Sequence, residues 1–385
     1  MVKLRNVPLP KINSLTSLIP TKRSNSDFQK TWNIQNYSNL IFSRSSWSID
    51  FIAKYRLKTS DFTEITILIP SYFCNSSLAP LRELSARLLF YPIKSSGLPD
   101  IEELKKLIAE EKHIDMIIGV HYFGKHFDFS EILEIARLNK IWFVEDCAHL
   151  LTPSKNRRIK SDFLMFSPHK FLPIPDGAIL SVNENIFSTK LEKEDFSHFY
   201  EEYIKNKEDL FRPYIWYCKR ILQKLGLGNS REVKNFYKDP VINSSDRFFQ
   251  PKMSKLAVRM LLKLENLIDD EKVTRMNNAF TWTKLVKNVF PFAEILFKPE
   301  SSESVYLQGF FFTHDEDLKK ALTVFNKFKL PICSWPDLPH EVTSEQDYFK
   351  ETIQLRNKTI FFHVHSSISQ KDIESSFESH LGRKN

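Results

Sequence analysis

The sequence predicts an α/β protein: a mostly parallel sheet in a large domain, followed by a smaller α+β domain at the C-terminal end. Three observations predict it. Apolar, β-rich runs recur between about residues 41 and 183, helix-period segments separate several of them, and a long stretch with apolar residues at three- and four-residue spacing follows from residue 252. Near-continuous apolar strands imply a sheet covered on both faces, because side chains on either side then meet helices rather than water.

Residues 1–40 carry Pro, Ser and Asn without a clear period, and read as an N-terminal arm lying across another element. The large domain is expected over 41–250. Its strands are "EITILIP" (64–70), "ARLLFYPI" (86–93), "IDMIIGVHYFG" (114–124), "IWFVEDC" (141–147), "SDFLMFS" (161–167) and "GAILSVN" (177–183). Helices are expected at "SRSSWSIDFIAKY" (43–55), at 98–111 behind Pro99 and Asp100, and at 128–140. The aromatic, charged stretch 185–250 has a turn signal at "GLGNS" (226–230) and no further assignment. Residues 251–385 form the linking helix, as one or two long helices over 252–289, and the small domain. That domain has strands near 304–314 and 358–365 and helices near 315–328 and 370–380.

Composition excludes several classes. Fifty-five Lys and Arg against 47 Asp and Glu give a formal charge of +8, but the basic residues are interspersed with acids and form no block with interleaved aromatics. That argues against nucleic-acid binding. The four cysteines, Cys74, Cys147, Cys218 and Cys333, are far apart and show no metal-ligand spacing, so no metal site is expected and a reduced, cytoplasmic compartment fits. No run reaches membrane-spanning length.

In sheets of this kind ligands bind beyond the carboxyl ends of the strands. The residues there are Tyr72 and Phe73 after "ILIP", Asp146 and His149 in "VEDCAHLL", and Ser167, His169 and Lys170 in "MFSPHKFLPIPDGAIL"; Ser45 and Ser46 open the first helix. A carboxylate, a lysine, small hydroxyls at a helix start and an aromatic on one rim suit pyridoxal phosphate. Its ring is an electron sink only while the ring nitrogen stays protonated, a task for Asp146. A lysine amine must condense with the aldehyde and then shuttle a proton, a task for Lys170. The phosphate is served by hydroxyls and N–H groups at a helix N-terminus, here Ser45, Ser46 and Ser167. Tyr72 or Phe73 would lie over the ring. Taken singly, these residues also read as caps, core aromatics and a structural histidine.

At "VEDCAH", "FSPHKFLPIPDGA" and "HYFG" the sequence resembles the DegT-like sugar aminotransferases, fold-type I pyridoxal-phosphate enzymes that make amino sugars for surface polysaccharides and natural products. Glu145, Asp146, Ala148 and His149 match that family's E-D-x-A-H signature, and Lys170, Asp176 and Gly177 match its lysine with the D-G-G turn that follows. The likeness covers roughly residues 38–378. It implies a homodimer with sites at the interface, a glutamate donor and a nucleotide-linked keto-sugar acceptor. It also implies that Lys170 and Asp146 are catalytic, that His149 sits near the cofactor's phenolic oxygen, and that His169, Gln250 and Lys252 lie toward substrate, the last two reaching a partner's site. The sequence departs from the pattern in four places. "SRSSWS" replaces the small, glycine-rich phosphate loop, Ala178 replaces the second glycine of D-G-G, the longer S-F-x-x-x-K spacing is shortened to Ser167-Pro-His-Lys170, and His169 stands where a divergent subgroup carries arginine. The alternatives are a dehydratase or other lyase on a similar sugar, against which Lys170 argues, and a non-catalytic protein on a decayed enzyme fold.

Overall fold

The computed structural model describes residues 7–10, 31–154, 159–227, 250–298, 303–328, 330–335 and 337–381. Seven strands make the large sheet: β1 (Tyr37–Phe42), β2 (Thr66–Pro70), β3 (Arg87–Tyr91), β4 (Met116–Val120), β5 (Trp142–Cys147), β6 (Phe163–Phe166) and β7 (Ala178–Asn183). Every residue of "TILIP", "MIIGV", "FLMF" and "AILSVN" is buried, as a sheet covered on both faces demands. The strand order is β1-β7-β6-β5-β4-β2-β3, with β3, β2, β4, β5 and β6 parallel. The last two strands differ. β7 is antiparallel to β6, since the segment joining them holds only a tight turn and no crossover helix, and β1 is antiparallel to β7.

The helices of this part are α1 (Ser45–Thr59), α2 (Ala79–Glu83), α3 (Ile101–Glu110), α4 (Ser130–Leu138), α5 (Lys190–Ile204) and α6 (Arg212–Lys224). Asp100 caps α3 by accepting the Glu103 N–H, and α3 and α4 are strongly amphipathic, which is why their periodicity is visible in the sequence. Strand β1 was not expected. It runs across the anticipated boundary at residue 40, and its half-buried residues give no continuous apolar run. The unassigned stretch after residue 185 supplies α5 and α6; residues 228–249, including most of the "GLGNS" turn, lie outside the described residues. Of the arm, Trp32 is fully buried and its indole N–H donates to the Leu151 carbonyl at 3.1 Å.

Of the one or two long helices expected over 252–289 the structure has two, α7 (Lys255–Leu264) and α8 (Ile268–Val289), separated by a tighter 3-10 turn at Glu265–Leu267. Beyond them come β8 (Glu294–Leu296), β9 (Leu307–Phe311), α9 (Asp315–Lys327), β10 (Ile332–Cys333), α10 (His340–Ser344), α11 (Lys350–Lys358), β11 (Thr359–His363) and α12 (Gln370–Leu381). The second sheet, β10-β11-β9-β8, is antiparallel. Strand alternation in β11 splits its aromatics between two cores: Phe362 packs with Trp282, Phe310 and Phe325, while Phe361 faces the large domain and meets Phe123 at 4.4 Å. The small domain is thereby pressed onto the end of β4.

That end is a tight turn. The expected strand through residue 124 stops at Val120, and Phe123 and Gly124 both adopt positive φ, 55° and 100°. A Cβ on Gly124 would overlap the Ser304 carbonyl oxygen, which a backbone cannot easily move aside. Gly124→Ala is expected to cost about 2–4 kcal/mol, read as a lower urea midpoint with unchanged slope.

Candidate active site

Parallel pairing of β5 with β6, Asp146 opposite Met165 and Cys147 opposite Phe166, sets the end of one strand beside the end of the next. Asp146 is therefore next to the turn that carries Lys170, a 3-10 turn over Pro168–Lys170 closed by the Lys170 N–H on the Ser167 carbonyl at 2.9 Å. The Asp146 carboxylate is 8% exposed and accepts the Ala148 N–H at 2.8 Å. Burial raises its pKa, and Lys170 opposes that rise. Lys170 is partly exposed, yet enough protein surrounds its amine to lower its pKa; Asp146 and then Cys74 oppose the shift. A lysine biased toward its neutral, nucleophilic form beside a desolvated carboxylate is the arrangement the sequence suggested.

Aromatic groups wall this pair. The His149 ring is sandwiched between Phe123, 5.0 Å away and tilted 25°, and Tyr306, 4.5 Å away and tilted 22°, with Trp335 edge-on at 5.0 Å. Its faces are covered, so a ligand would meet the ring edge. The Lys170 ammonium stands 5.8 Å from the centre of the Tyr306 ring. Tyr72 is fully buried; its hydroxyl donates to the Trp335 carbonyl at 3.0 Å and its carbonyl accepts the Tyr122 hydroxyl at 2.8 Å, which joins the loop after β2 to the small domain. Phe73 is buried in the same core.

Ser45 and Ser46 are the first residues of α1, whose N-terminus has no side-chain cap, and Ser46 is buried. Ser167 is fully buried and its hydroxyl has no hydrogen-bond partner among the described residues. The two segments are tied together: the Gly177 N–H donates to the Ser43 carbonyl at 2.8 Å, and His169 Nδ1–H donates to the Gly177 carbonyl at 2.8 Å. Gly177 has φ +143°, so glycine is required there. Ala178, where the resemblance has a second glycine, is an ordinary strand residue paired with Phe42, so that departure carries no backbone strain. Asp176 turns away from the pair, accepting the Ser254 N–H at 2.9 Å and the Ser254 hydroxyl at 2.6 Å, and so fixes the N-cap of α7.

Gln250 and Lys252 run past this loop by their backbones. The Gln250 carbonyl accepts the Ser43 hydroxyl at 2.5 Å, and the Lys252 N–H donates to the Lys207 carbonyl at 3.0 Å. The structure also assembles groups that the sequence reading left out. Cys74 lies close enough to influence Lys170, and its thiol hydrogen-bonds Asp337 at 3.0 Å. Arg44 precedes Ser45 in the quoted "SRSSWS" loop. Tyr306 and Trp335 come from the small domain, more than a hundred residues downstream, and nothing local marks them. Arg275, buried on α8, donates to the Phe171 carbonyl at 2.7 Å and to the Val305 and Tyr306 carbonyls at 3.3 Å each, clamping the Lys170 turn to the small domain.

A second cluster, His121, Glu145 and Cys147, lies within ligand distance of a common point on the opposite side of β5. It does not suit a cation. His121 Nδ1 accepts the Phe127 N–H at 3.0 Å, so its Nε2 carries the proton and donates it to Glu145 at 2.8 Å. A concave surface of about 940 Å³, lined by His126, Asp128, Arg137 and Lys160 among others, is on that side too and does not include Lys170.

A model of the DegT/DnrJ/EryC1/StrS aminotransferase family matches residues 57–378. The chain belongs to that family. Its cofactor is pyridoxal 5'-phosphate, and the orphaned Ser167 hydroxyl, the uncapped start of α1 and the Asp146–Lys170 pair fit that group. The fold is shared with proteins of known structure, a putative sugar aminotransferase of Streptococcus pneumoniae in its PLP form among them. The two are 12% identical, with a TM-score of 0.71 over 98% of this chain and 97% of the other. PseC of Helicobacter pylori, an aminotransferase involved in the biosynthesis of pseudoaminic acid, is 15% identical, with a TM-score of 0.69 over 98% of this chain and 97% of its own. A GDP-4-keto-6-deoxy-D-mannose-3-dehydratase of E. coli, with bound hydrated PLP, is 17% identical, with a TM-score of 0.63 over 97% and 99%. At these identities the likeness is one of fold. No helix among the described residues is long and apolar enough to cross a membrane.

The buried histidines make stability depend on pH. Burial holds His149 and His169 well below the ordinary imidazole pKa and brings His363 from 6.5 to about 4. Between pH 6.5 and about 4 the unfolded chain binds protons that the folded chain refuses, so stability falls as pH falls, by up to about 1.4 kcal/mol per pH unit for each such group. The melting temperature of the cofactor-free protein is expected to drop as pH falls from about 6.5 toward 4.5; a flat or rising profile there would contradict the desolvation of these rings.

Proposed function

We propose that this chain is a pyridoxal-phosphate-dependent aminotransferase that moves an amino group from glutamate to the keto carbon of a nucleotide-linked sugar, acting as a cytoplasmic homodimer. The single observation that carries the reading is the pairing of a desolvated Asp146 with a pKa-lowered Lys170 at adjacent strand ends, on a chain of the sugar aminotransferase family. When bound, the cofactor supplies an electron sink that weakens the bond between the donor's α-carbon and its hydrogen.

The remaining work falls to this chain's own residues. Lys170 would hold the cofactor by its aldehyde end, and its amine, when free, would carry the proton lost from the donor's α-carbon. Burial lowers its pKa, which favours the neutral amine that these tasks need. Asp146 holds a proton at the ring nitrogen, and its carboxylate is kept in place by the Ala148 N–H. Ser45, Ser46 and Ser167 bind the phosphate at the start of α1. His149, fixed between Phe123 and Tyr306, presents its edge near the phenolic oxygen. Tyr72 and Phe73 shape the wall over the ring, and Arg275 orients the turn that bears Lys170. His169, Gln250 and Lys252 lie on the substrate side.

The test is a screen of nucleotide keto sugars with glutamate, read by mass spectrometry. The expected product carries an amino group in place of the keto oxygen, with one 2-oxoglutarate released per turnover. Loss of water from the sugar without 2-oxoglutarate would replace transamination by dehydration.

A further inference from the structure

The loop that opens α1 brings a cation to the phosphate end of the site. We propose that Arg44 is a binding residue for the cofactor's phosphate and is what makes the site prefer phosphorylated over unphosphorylated pyridoxal. The proposal rests on pyridoxal phosphate being the cofactor.

The geometry points to Arg44 from several sides. It is the N-cap residue of α1, immediately before Ser45 and Ser46, at a helix end that no side chain caps. Its Nη1–H donates to the Ser43 carbonyl at 2.9 Å and its Nη2–H to the Pro175 carbonyl at 3.0 Å. Those two bonds fix the guanidinium plane between the α1 loop and the turn after Lys170, and carbonyls do so without cancelling its charge. The fully buried, unpartnered Ser167 hydroxyl sits at the start of the same Lys170 turn, which the Gly177–Ser43 and His169–Gly177 bonds lash to the Arg44 loop.

Charge bookkeeping favours the same residue. A phosphate dianion needs more than the partial positive charge of a helix end. His169, the other basic group against this turn, is kept neutral by burial and by Arg44 itself. Burial lowers the Arg44 pKa to about 10, so it stays charged at neutral pH. Among the described groups that act on it, Asp176 and Asp209 favour the charged form and Arg212 opposes it. Asp176 is itself tied to Ser254 through both oxygens. The glycine-rich loop that is missing from this sequence is thus replaced by a charged clamp.

The experiment compares dissociation constants of pyridoxal phosphate and pyridoxal for the wild-type protein, Arg44→Lys and Arg44→Gln, measured by equilibrium dialysis. For the wild type the phosphorylated form is expected to bind more tightly, and Arg44→Gln is expected to shrink that preference by about 10- to 100-fold. Arg44→Lys is expected to keep most of it, and pyridoxal itself should bind all three alike. An unchanged preference in Arg44→Gln overturns the proposal. Failure of the wild type to bind either form overturns instead the cofactor assignment. Should Arg44→Gln not fold, arginine labelling of the wild type with phenylglyoxal decides: Arg44 is expected to be protected by pyridoxal phosphate and not by pyridoxal, and equal labelling overturns the proposal.

Discussion

Lys170→Ala is expected to abolish amino transfer, by roughly 10⁴-fold or more, because one amine both holds the cofactor and moves the proton. The visible absorbance band of the lysine-bound cofactor should vanish with it, while the far-ultraviolet circular dichroism stays the same. The side chain is partly exposed and its contact in the wall is the distant Tyr306 ring, so its loss leaves no tightly packed cavity. The two readouts separate causes. A variant that loses activity but keeps the band would mean that another amine captures the aldehyde, and Lys170 would then not be the anchor.

Asp146→Asn is expected to have the second-largest effect, lowering kcat on the order of 10²- to 10⁴-fold. The asparagine is nearly isosteric and can still accept the Ala148 N–H, so the strand end should survive. What it cannot do is hold a positive charge at the ring nitrogen, since an amide does not compensate a buried cation. Cofactor affinity should fall as well, and Lys170 should titrate lower, because the carboxylate is the strongest influence raising the Lys170 pKa. The pH dependence of the rate at which the cofactor-free protein captures pyridoxal phosphate, which follows the unprotonated amine, measures that shift. A wild-type midpoint in the variant would show that the two groups are not coupled.

How much of this was legible in the sequence depends on where each residue's partners lie. The buried strands β2, β4, β5, β6 and β7 could be read because each is a short apolar run, and α3 and α4 because their apolar faces repeat at helical spacing. Strand β1 could not: it is half-buried along most of its length, and it is a strand because β7 lies beside it. The place of the break at Glu265–Leu267 was hidden for a related reason, since apolar spacing continues through it. The candidates Asp146, His149, Ser167 and Lys170 could be picked out because all lie at or just beyond strand ends. Arg44 stood in a quoted loop and gave no sign of its bonds to Ser43 and Pro175. The matched acid Asp176 turned out to fix Ser254, a partner 78 residues away.

The sequence by itself determined the element types, the rim on which the chemistry-bearing residues fall and the family. Those follow from local periodicity and from residues adjacent along the chain, which a one-dimensional reading can see. Only the tertiary structure decided which groups act together: the antiparallel turn of β7, the stacking of His149 between Phe123 and Tyr306, and the Arg275 clamp on Phe171. The physical reason is that burial and charge coupling depend on what surrounds a group in three dimensions. Lys170 has an unremarkable sequence environment, and its pKa is lowered because burial, helped by Arg44, outweighs the opposing pull of Asp146 and Cys74, all of them groups from other segments of the chain.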